Sequence, residues 1–217
     1  SFPTRHDAGH VVREGAAYLI TGGLGSLGLH VAAWLGREGA GEVHLVGRSG
    51  LSPSSDEKLD ELRGKAPATQ FFVSSGDAAD GSRIQELVSA CELPLRGVFH
   101  AAGVLEDSML ADMDSESFER VLTPKWKGAW RLHRACLEED LEHFVLLSSI
   151  TAMVGAAGQA NYAAANNGLD AFARWRRSKG LPATSIAWGP WSGGGMATRA
   201  ASAESLDAAG IAPISPA

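Results

Sequence analysis

Six short runs rich in apolar, β-branched and aromatic residues recur along the chain, and longer stretches of helical period separate them; this alternation leaves few folds open. The runs lie at 16–21, 42–47, 69–74, 95–101, 141–149 and 183–188, and the helical stretches at 26–38, 55–65, 81–92, 115–139 and 160–179. Strands linked by helices pair in parallel, and a parallel sheet needs both faces covered. The pattern predicts a doubly wound α/β fold of about six strands in the order 3-2-1-4-5-6, with helices on both faces. Asp80 and Asp114 stand where N-caps belong. At 217 residues and 45% hydrophobic, the chain is predicted to be a single domain, 1–217, with a sizeable core.

Charge narrows the partners. With 19 basic against 25 acidic residues, a net charge of −6, there is no basic field to hold a phosphate backbone, so nucleic acid is not expected. Cys91 and Cys136 lie in helical stretches without metal-ligand spacing and read as reduced core thiols; no metal is expected, and the setting is expected to be cytoplasmic. Neither a signal segment nor a membrane-spanning run is visible.

The first strand ends in Thr21-Gly22-Gly23-Leu24-Gly25-Ser26-Leu27-Gly28. Gly23, Gly25 and Gly28 form a G-x-G-x-x-G turn between strand and helix, where the backbone can approach a pyrophosphate and the helix dipole favours the anion. About twenty residues on, where an NAD enzyme carries a carboxylate for the ribose, the chain has Arg48-Ser49 after Gly47. The arginine fork suits a 2′-phosphate, so NADPH is the predicted cofactor. Asp77 either accepts from the adenine amino group or caps its own loop. His100-Ala101-Ala102-Gly103 ends the fourth strand with small residues that admit a cofactor. The glycine-rich stretch after the sixth strand, about 189–210, is predicted to be a lid.

Ser148-Ser149 closes strand five, and Tyr162 and Asn166 lie four apart at the start of the next helix, on one face. A phenol beside a hydroxyl donor can protonate the alkoxide that hydride transfer to a carbonyl creates. These stretches, with GVFHAAGVLEDSML, LTPKWKGAWRLH and LPATSIAWGPWSGGGMA, resemble the short-chain dehydrogenase/reductase superfamily, and within it the ketoreductase domains of polyketide synthases. The resemblance implies a Rossmann-like fold and NADPH-dependent reduction of a β-ketoacyl thioester. Most simple superfamily members carry lysine where Asn166 stands. In the polyketide group the lysine comes from a Pro-Lys stretch, here Pro124-Lys125. By resemblance Tyr162 is the proton donor, Ser149 binds the carbonyl, Asn166 orders the relay around Lys125, and Ser148 is structural. The Lys125 ammonium is expected to favour the ionised phenol.

The resemblance extends to stereochemistry. Leu105-Glu106-Asp107 resembles the Leu-Asp-Asp loop of B-type ketoreductases, Asn161 before Tyr162 fits that type, and Val154 stands where A-type members have tryptophan. The implied product is the D (3R) alcohol. Pro190 is placed beside the nicotinamide and Met196 beside the substrate. The implied partners are an acyl carrier protein presenting a phosphopantetheine-tethered chain, an upstream structural subdomain and the other synthase domains. That subdomain and a final parallel strand are not found in these 217 residues, which therefore resemble a trimmed fragment. Arg174, Arg176, Arg177 and Lys179 either face an acidic carrier or complement their own helix dipole. Trp126 and Trp130 read as core or interface anchors. The rival functions are a free-standing reductase of untethered ketones and a silent dinucleotide-binding scaffold.

Overall fold

The computed structural model describes residues 11–191 and 212–215. Its six-stranded parallel sheet has the order β3-β2-β1-β4-β5-β6. The strands are β1 (Ala17–Thr21), β2 (Glu42–Gly47), β3 (Gln70–Ser75), β4 (Leu95–His100), β5 (His143–Ser149) and β6 (Thr184–Trp188). All five residues of β1 are buried, as a central strand covered on both faces must be. The chain winds outward from β1 to β3, then returns to β4 on the other side of β1. The chain leaving β1 enters the helix Ser26–Arg37 on one face and the chain leaving β4 leads to the helix Gly128–Ala135 on the other, so a crevice opens beyond the carboxyl ends of these two paired strands.

Three helices start at side-chain caps. In α2 (Pro53–Lys65), Ser52 and Ser55 form a reciprocal capping box, and Pro53 occupies the first turn, where no N–H is needed. The Asp80 carboxylate accepts from Ser82 N and Arg83 N to open α3 (Gly81–Ser89), and Asp114 accepts from Ser117 N to open α4 (Ser115–Leu122). Both caps stand where the sequence places them. One apolar layer packs α1 (Ser26–Arg37) and α2 on one sheet face through Leu29, Leu35, Leu45 and Leu59. The other face carries α3, α5 (Gly128–Ala135) and α7 (Ala160–Ser178) through Ile84, Leu132, Leu146 and Leu169.

The expected helix over 115–139 departs from its prediction. Thr123–Lys127 form a π-helical turn between α4 and α5. Pro124 has no N–H to give, and its ring crowds the preceding turn, so the α ladder cannot pass through it unchanged. A short α6 (Thr151–Val154), which the sequence pattern does not signal, follows β5. Near the end of the chain Ile214 makes an isolated parallel bridge to Trp191, in a tail whose sequence predicts no pairing.

The fold depends on both apolar layers gripping one sheet. Leu146, fully buried in β5, is expected to lose roughly 2–5 kcal/mol of unfolding free energy on substitution by alanine, measured by urea denaturation.

Candidate active site

The carboxyl ends of the strands border a cleft of about 780 Å³. At its floor the glycine turn runs from Thr21 into α1. Gly22 has φ of 70°, and a Cβ there would lie 2.6 Å from the Ala101 carbonyl carbon, so both conformation and contact with the backbone just after β4 require glycine. A Cβ on Gly28 would meet the Gly22 carbonyl oxygen at 2.4 Å, which fixes the close seating of α1 on the turn. Gly25 is the N-cap of α1 and supplies no side-chain cap, and the first turn holds no acidic residue. That positive helix end borders the cleft, a fitting seat for a diphosphate.

Thr21, Gly22, Gly25, Ser26, Leu27 and Gly28 all border the cleft; Gly23 does not. A Cβ on Gly23 would press on Ile20 O and Leu45, so this glycine serves packing behind the turn. Arg48 and Ser49 sit exposed at the end of β2 on the cleft rim, and among the described residues no carboxylate pairs with Arg48. Asp77 also borders the cleft, and its carboxylate accepts from Ala79 N at 2.9 Å, which is the loop-cap alternative. Ala101, Ala102 and Gly103 form the opposite wall. His100 does not. Its ring is buried beneath the wall, bonded to Thr21 and to the backbone of Lys125.

Lys125, Ser149 and Tyr162 converge on the cleft from three elements. Lys125 projects from the π turn, 2% exposed, and its Nζ donates to the Leu147 carbonyl at 3.2 Å. The same nitrogen lies 5.3 Å from the centroid of the Tyr162 ring. The Ser149 hydroxyl oxygen accepts from Thr151 N at 3.2 Å and from Thr151 Oγ1 at 3.0 Å, leaving its own proton to donate. Asn166 is wholly buried behind Tyr162 rather than on the cleft wall. Its Nδ2 donates to the Tyr162 carbonyl at 2.8 Å, while its Oδ1 is buried without a hydrogen-bond partner among the described residues. A buried amide oxygen left unpaired is costly. Ser148 Oγ donates to Asn166 O at 3.2 Å, and the residue also borders the cleft.

The titration of this group corrects one expectation. Burial raises the Tyr162 phenol above its ordinary value, outweighing hydrogen bonds to Asn166 and Ser149 that act to lower it. Burial also pushes Lys125 down to about 8, with Asp170 opposing. The phenol is therefore not acidified in this geometry; as pH rises, the lysine loses its proton first.

The loop after Gly103 is held by bonds that the sequence does not reveal. Leu105 and Asp107 border the cleft. Glu106 turns outward into a two-pronged ion pair with Arg120 of α4, at 2.8 and 2.6 Å. Asn161 is fully buried and does not reach the cleft. Its Nδ2 donates to Glu106 O at 2.8 Å and its Oδ1 accepts from Tyr162 N at 2.7 Å, binding the loop to the helix that carries the tyrosine. Gln159 donates to the Asp107 carboxylate at 3.2 Å. Arg120 and Gln159 escape sequence reasoning because their partners lie 14 and 52 residues away, and Thr151 because the short α6 that turns it back onto Ser149 has no sequence signal.

Of the expected lid, Gly189, Pro190 and Trp191 border the cleft. Met196 and the rest of 189–210 lie outside the described residues. In the basic end of α7, Arg176 is buried and donates to Pro182 O with its guanidinium 3.8 Å from the Phe144 ring centroid; Arg177 donates to Ala183 O. These two arginines stitch the helix end to the chain leading into β6, so Arg176 cannot face a carrier. Trp126 and Trp130 pack edge-on or tilted against Phe172 and remain partly exposed, closer to surface anchors than to core. At the opposite edge of the sheet, folding brings Cys91 within 4.8 Å of Glu42 and His44, a proximity their spacing hides. There the Glu42 carboxylate is occupied by His44 Nε2 at 3.0 Å and Glu92 N at 3.2 Å. No helix of the described residues is long and apolar enough to cross a membrane.

The depressed Lys125 value has a consequence for stability. Between pH 8 and 10.5 the unfolded chain holds the Lys125 proton and the folded chain does not, so folded stability rises with pH across that window. Relative to Lys125→Met, the native chain is expected to gain on the order of 3 kcal/mol from pH 8 to 10.5 in denaturant titrations. A constant difference between the two proteins would contradict the burial of this charge.

Comparison with known proteins agrees with the geometry. The KR domain family matches residues 16–193. Over 184 residues the chain is 47% identical to a mycocerosic acid synthase-like polyketide synthase of Mycobacterium tuberculosis, covering 83% of this chain and 9% of that protein. It is 45% identical over 193 residues to a phenolphthiocerol/phthiocerol polyketide synthase from the same species, covering 87% of this chain and 10% of the relative. Among solved structures, the first ketoreductase of the tylosin synthase superposes with a TM-score of 0.85 at 41% identity, covering 98% of this chain and 46% of that one. An A-type ketoreductase from a modular polyketide synthase gives 0.91 at 35% identity, covering 100% and 46%. The chain thus spans about a tenth of its curated relatives and less than half of these solved ketoreductases. With a Rossmann-like sheet, a glycine turn and a lysine, serine and tyrosine gathered at its carboxyl edge, it belongs to the KR domain family, the ketoreductases of polyketide synthases within the short-chain dehydrogenase/reductase superfamily.

Proposed function

We propose that the domain reduces a β-ketoacyl thioester, presented on the phosphopantetheine arm of an acyl carrier protein, to the β-hydroxyacyl thioester with NADPH as cofactor. The carrying observation is the placement of the buried Lys125 ammonium against the Tyr162 ring, with Ser149 on the same cleft and the uncapped start of α1 at its floor. NADPH supplies the hydride when bound. Ser149 donates its hydroxyl proton in a hydrogen bond to the substrate carbonyl, holding the carbon in line and stabilising charge as it gathers on oxygen. Tyr162 then transfers its phenolic proton to that oxygen.

Burial makes the phenol a reluctant acid, and hydrogen bonds to Asn166 and Ser149 lower the cost of the phenolate that forms. The unpaired Oδ1 of Asn166 is suited to accept from a water that returns the proton by way of Lys125. Arg48, at the rim and with no carboxylate partner among the described residues, suits the 2′-phosphate that distinguishes NADPH. Leu105, Asp107 and Asn161 favour the B-type direction of entry and the D (3R) alcohol. Superposition on an A-type ketoreductase does not oppose this, because likeness of fold does not fix the stereochemical outcome. The other synthase domains and an upstream structural subdomain are the proposed neighbours in the full protein.

Incubation with NADPH and a β-ketoacyl thioester is expected to oxidise the cofactor and give the 3R alcohol on chiral analysis. Tyr162→Phe is expected to retain cofactor binding and lose about 10²–10⁴-fold in kcat. Full turnover by that variant would remove the assignment, and an L-alcohol from the native protein would remove the B-type reading. For the cofactor, Arg48→Ala is expected to raise KM for NADPH by about tenfold while leaving that for NADH nearly unchanged. Equal effects on both would place the 2′-phosphate elsewhere.

A further inference from the structure

His100 stands at the end of β4, where the sequence suggests a cleft-lining role, yet its ring lies 1% exposed below the cleft wall. Nδ1 is 2.7 Å from Thr21 Oγ1, and Nε2 is 2.9 Å from the carbonyl oxygen of Lys125. A carbonyl can only accept, so Nε2 carries the ring proton and Nδ1 accepts from the Thr21 hydroxyl. Burial, with the Lys125 charge adding to it, holds the imidazolium down to about 4, so the ring stays neutral and keeps this tautomer at neutral pH.

Both partners belong to the reaction site. Thr21 opens the glycine turn, and its carbonyl accepts from Ala101 N at 2.8 Å. Lys125 lies in the π turn, where Gly128 N–H reaches back to the Thr123 carbonyl. Widened turns of this kind are rare and cluster at functional positions. Two glycines make room for the arrangement. A Cβ on Gly128 would lie 2.7 Å from His100 Cε1, and one on Gly103 would lie 3.0 Å from Lys125 Cε. The ring is thus pressed against the backbone from which Lys125 springs, and the lysine chain runs past Gly103 to the Leu147 carbonyl.

We propose that His100 is a positioning residue for Lys125: its Nε2–H fixes the π turn that aims the lysine at Tyr162, and its bond to Thr21 ties that aim to the dinucleotide turn. The proposal rests on the reductase reading for its catalytic meaning. A histidine that merely fills the core would leave the lysine's surroundings unchanged when a smaller polar residue replaced it. The charged and titratable groups facing Lys125 are Tyr162 and Asp170 of α7 and His100 itself.

The test is NMR titration of protein carrying ¹³C at the lysine Cε positions, with Lys125→Met assigning the signal among Lys58, Lys65, Lys127 and Lys179. In the native protein Lys125 is expected to titrate near 8. His100→Asn places an amide near Nδ1 but cannot reach the Lys125 carbonyl. Its lysine midpoint is expected to rise by about one unit toward the ordinary value, and kcat to fall about tenfold, with KM for NADPH changed less than about threefold. His100→Gln, whose amide N–H reaches the Nε2 position, is expected to restore both. An unmoved midpoint in His100→Asn, or a glutamine variant as impaired as the asparagine one, overturns the proposal. Should His100→Asn fail to fold, Thr21→Val decides: it removes the donor to Nδ1 while keeping its shape, and a smaller rise of the lysine midpoint supports the proposal while none overturns it. If the native protein shows no turnover, the reductase reading falls, and the lysine titration still decides whether His100 positions the residue.

Discussion

A cation at 2% exposure is costly to hold, and the neighbourhood of Lys125 is organised around tolerating it. An ammonium removed from water needs acceptors in the right places, or it surrenders its proton. Lys125 has the Leu147 carbonyl at 3.2 Å, the π face of Tyr162 at 5.3 Å and the longer-range field of Asp170. These do not fully offset desolvation, so the amine remains easily deprotonated, a useful property for a group proposed to pass protons onward. The same burial holds the proton on Tyr162, so the pair is set with the acid loaded.

The sheet makes that placement possible. Parallel strands all end on one side, and the connections from β1 and β4, leaving on opposite faces, open space there that the glycine turn, the wall after β4 and α7 enclose. Ser149 ends β5 and Tyr162 begins α7, so neither has freedom to wander: each is fixed by an element packed against the core within a few residues. Lys125 is the exception. An ordinary helix would present it at a different angle, and the π turn forced by Pro124 is the local distortion that the fold tolerates at this one place.

The large features are legible because each has a sequence period or a stereochemical signature. Strand number, strand order, the glycine turn and two aspartate caps follow from alternation, from φ and close-approach demands, and from carboxylates before helical runs. Tyr162, Ser149 and Lys125 come together only through family resemblance, since a strand-end serine or a helical lysine is individually commonplace. What stays hidden depends on direction. His100 reads as a strand-end residue beside small neighbours, and no pattern says its ring points down into the core. Asn161 and Asn166 read as cleft residues, yet a helix turn rotates both behind Tyr162, where they act through backbone carbonyls. A proline in helical sequence signals a break or a kink, not which backbone groups will take up the loosened turn.

Charge is the least legible quantity, because burial is a property of the assembled fold. Four basic residues at the end of α7 look like one patch, but Arg176 is spent inside, against Phe144 and Pro182, and only its neighbours remain for solvent or a partner. Glu106 looks like a conservative change from aspartate in the loop beside the cleft. In the structure it reaches Arg120 with both carboxylate oxygens, while its backbone oxygen accepts from Asn161, so one residue anchors the loop to α4 and to the tyrosine helix at once. An exposed ion pair contributes little to overall stability. Its effect here is geometric: with the Glu106 side chain drawn outward, Leu105 and Asp107 are the neighbours left on the cleft, and the loop that would steer an incoming acyl chain is coupled to the helix bearing the proton donor.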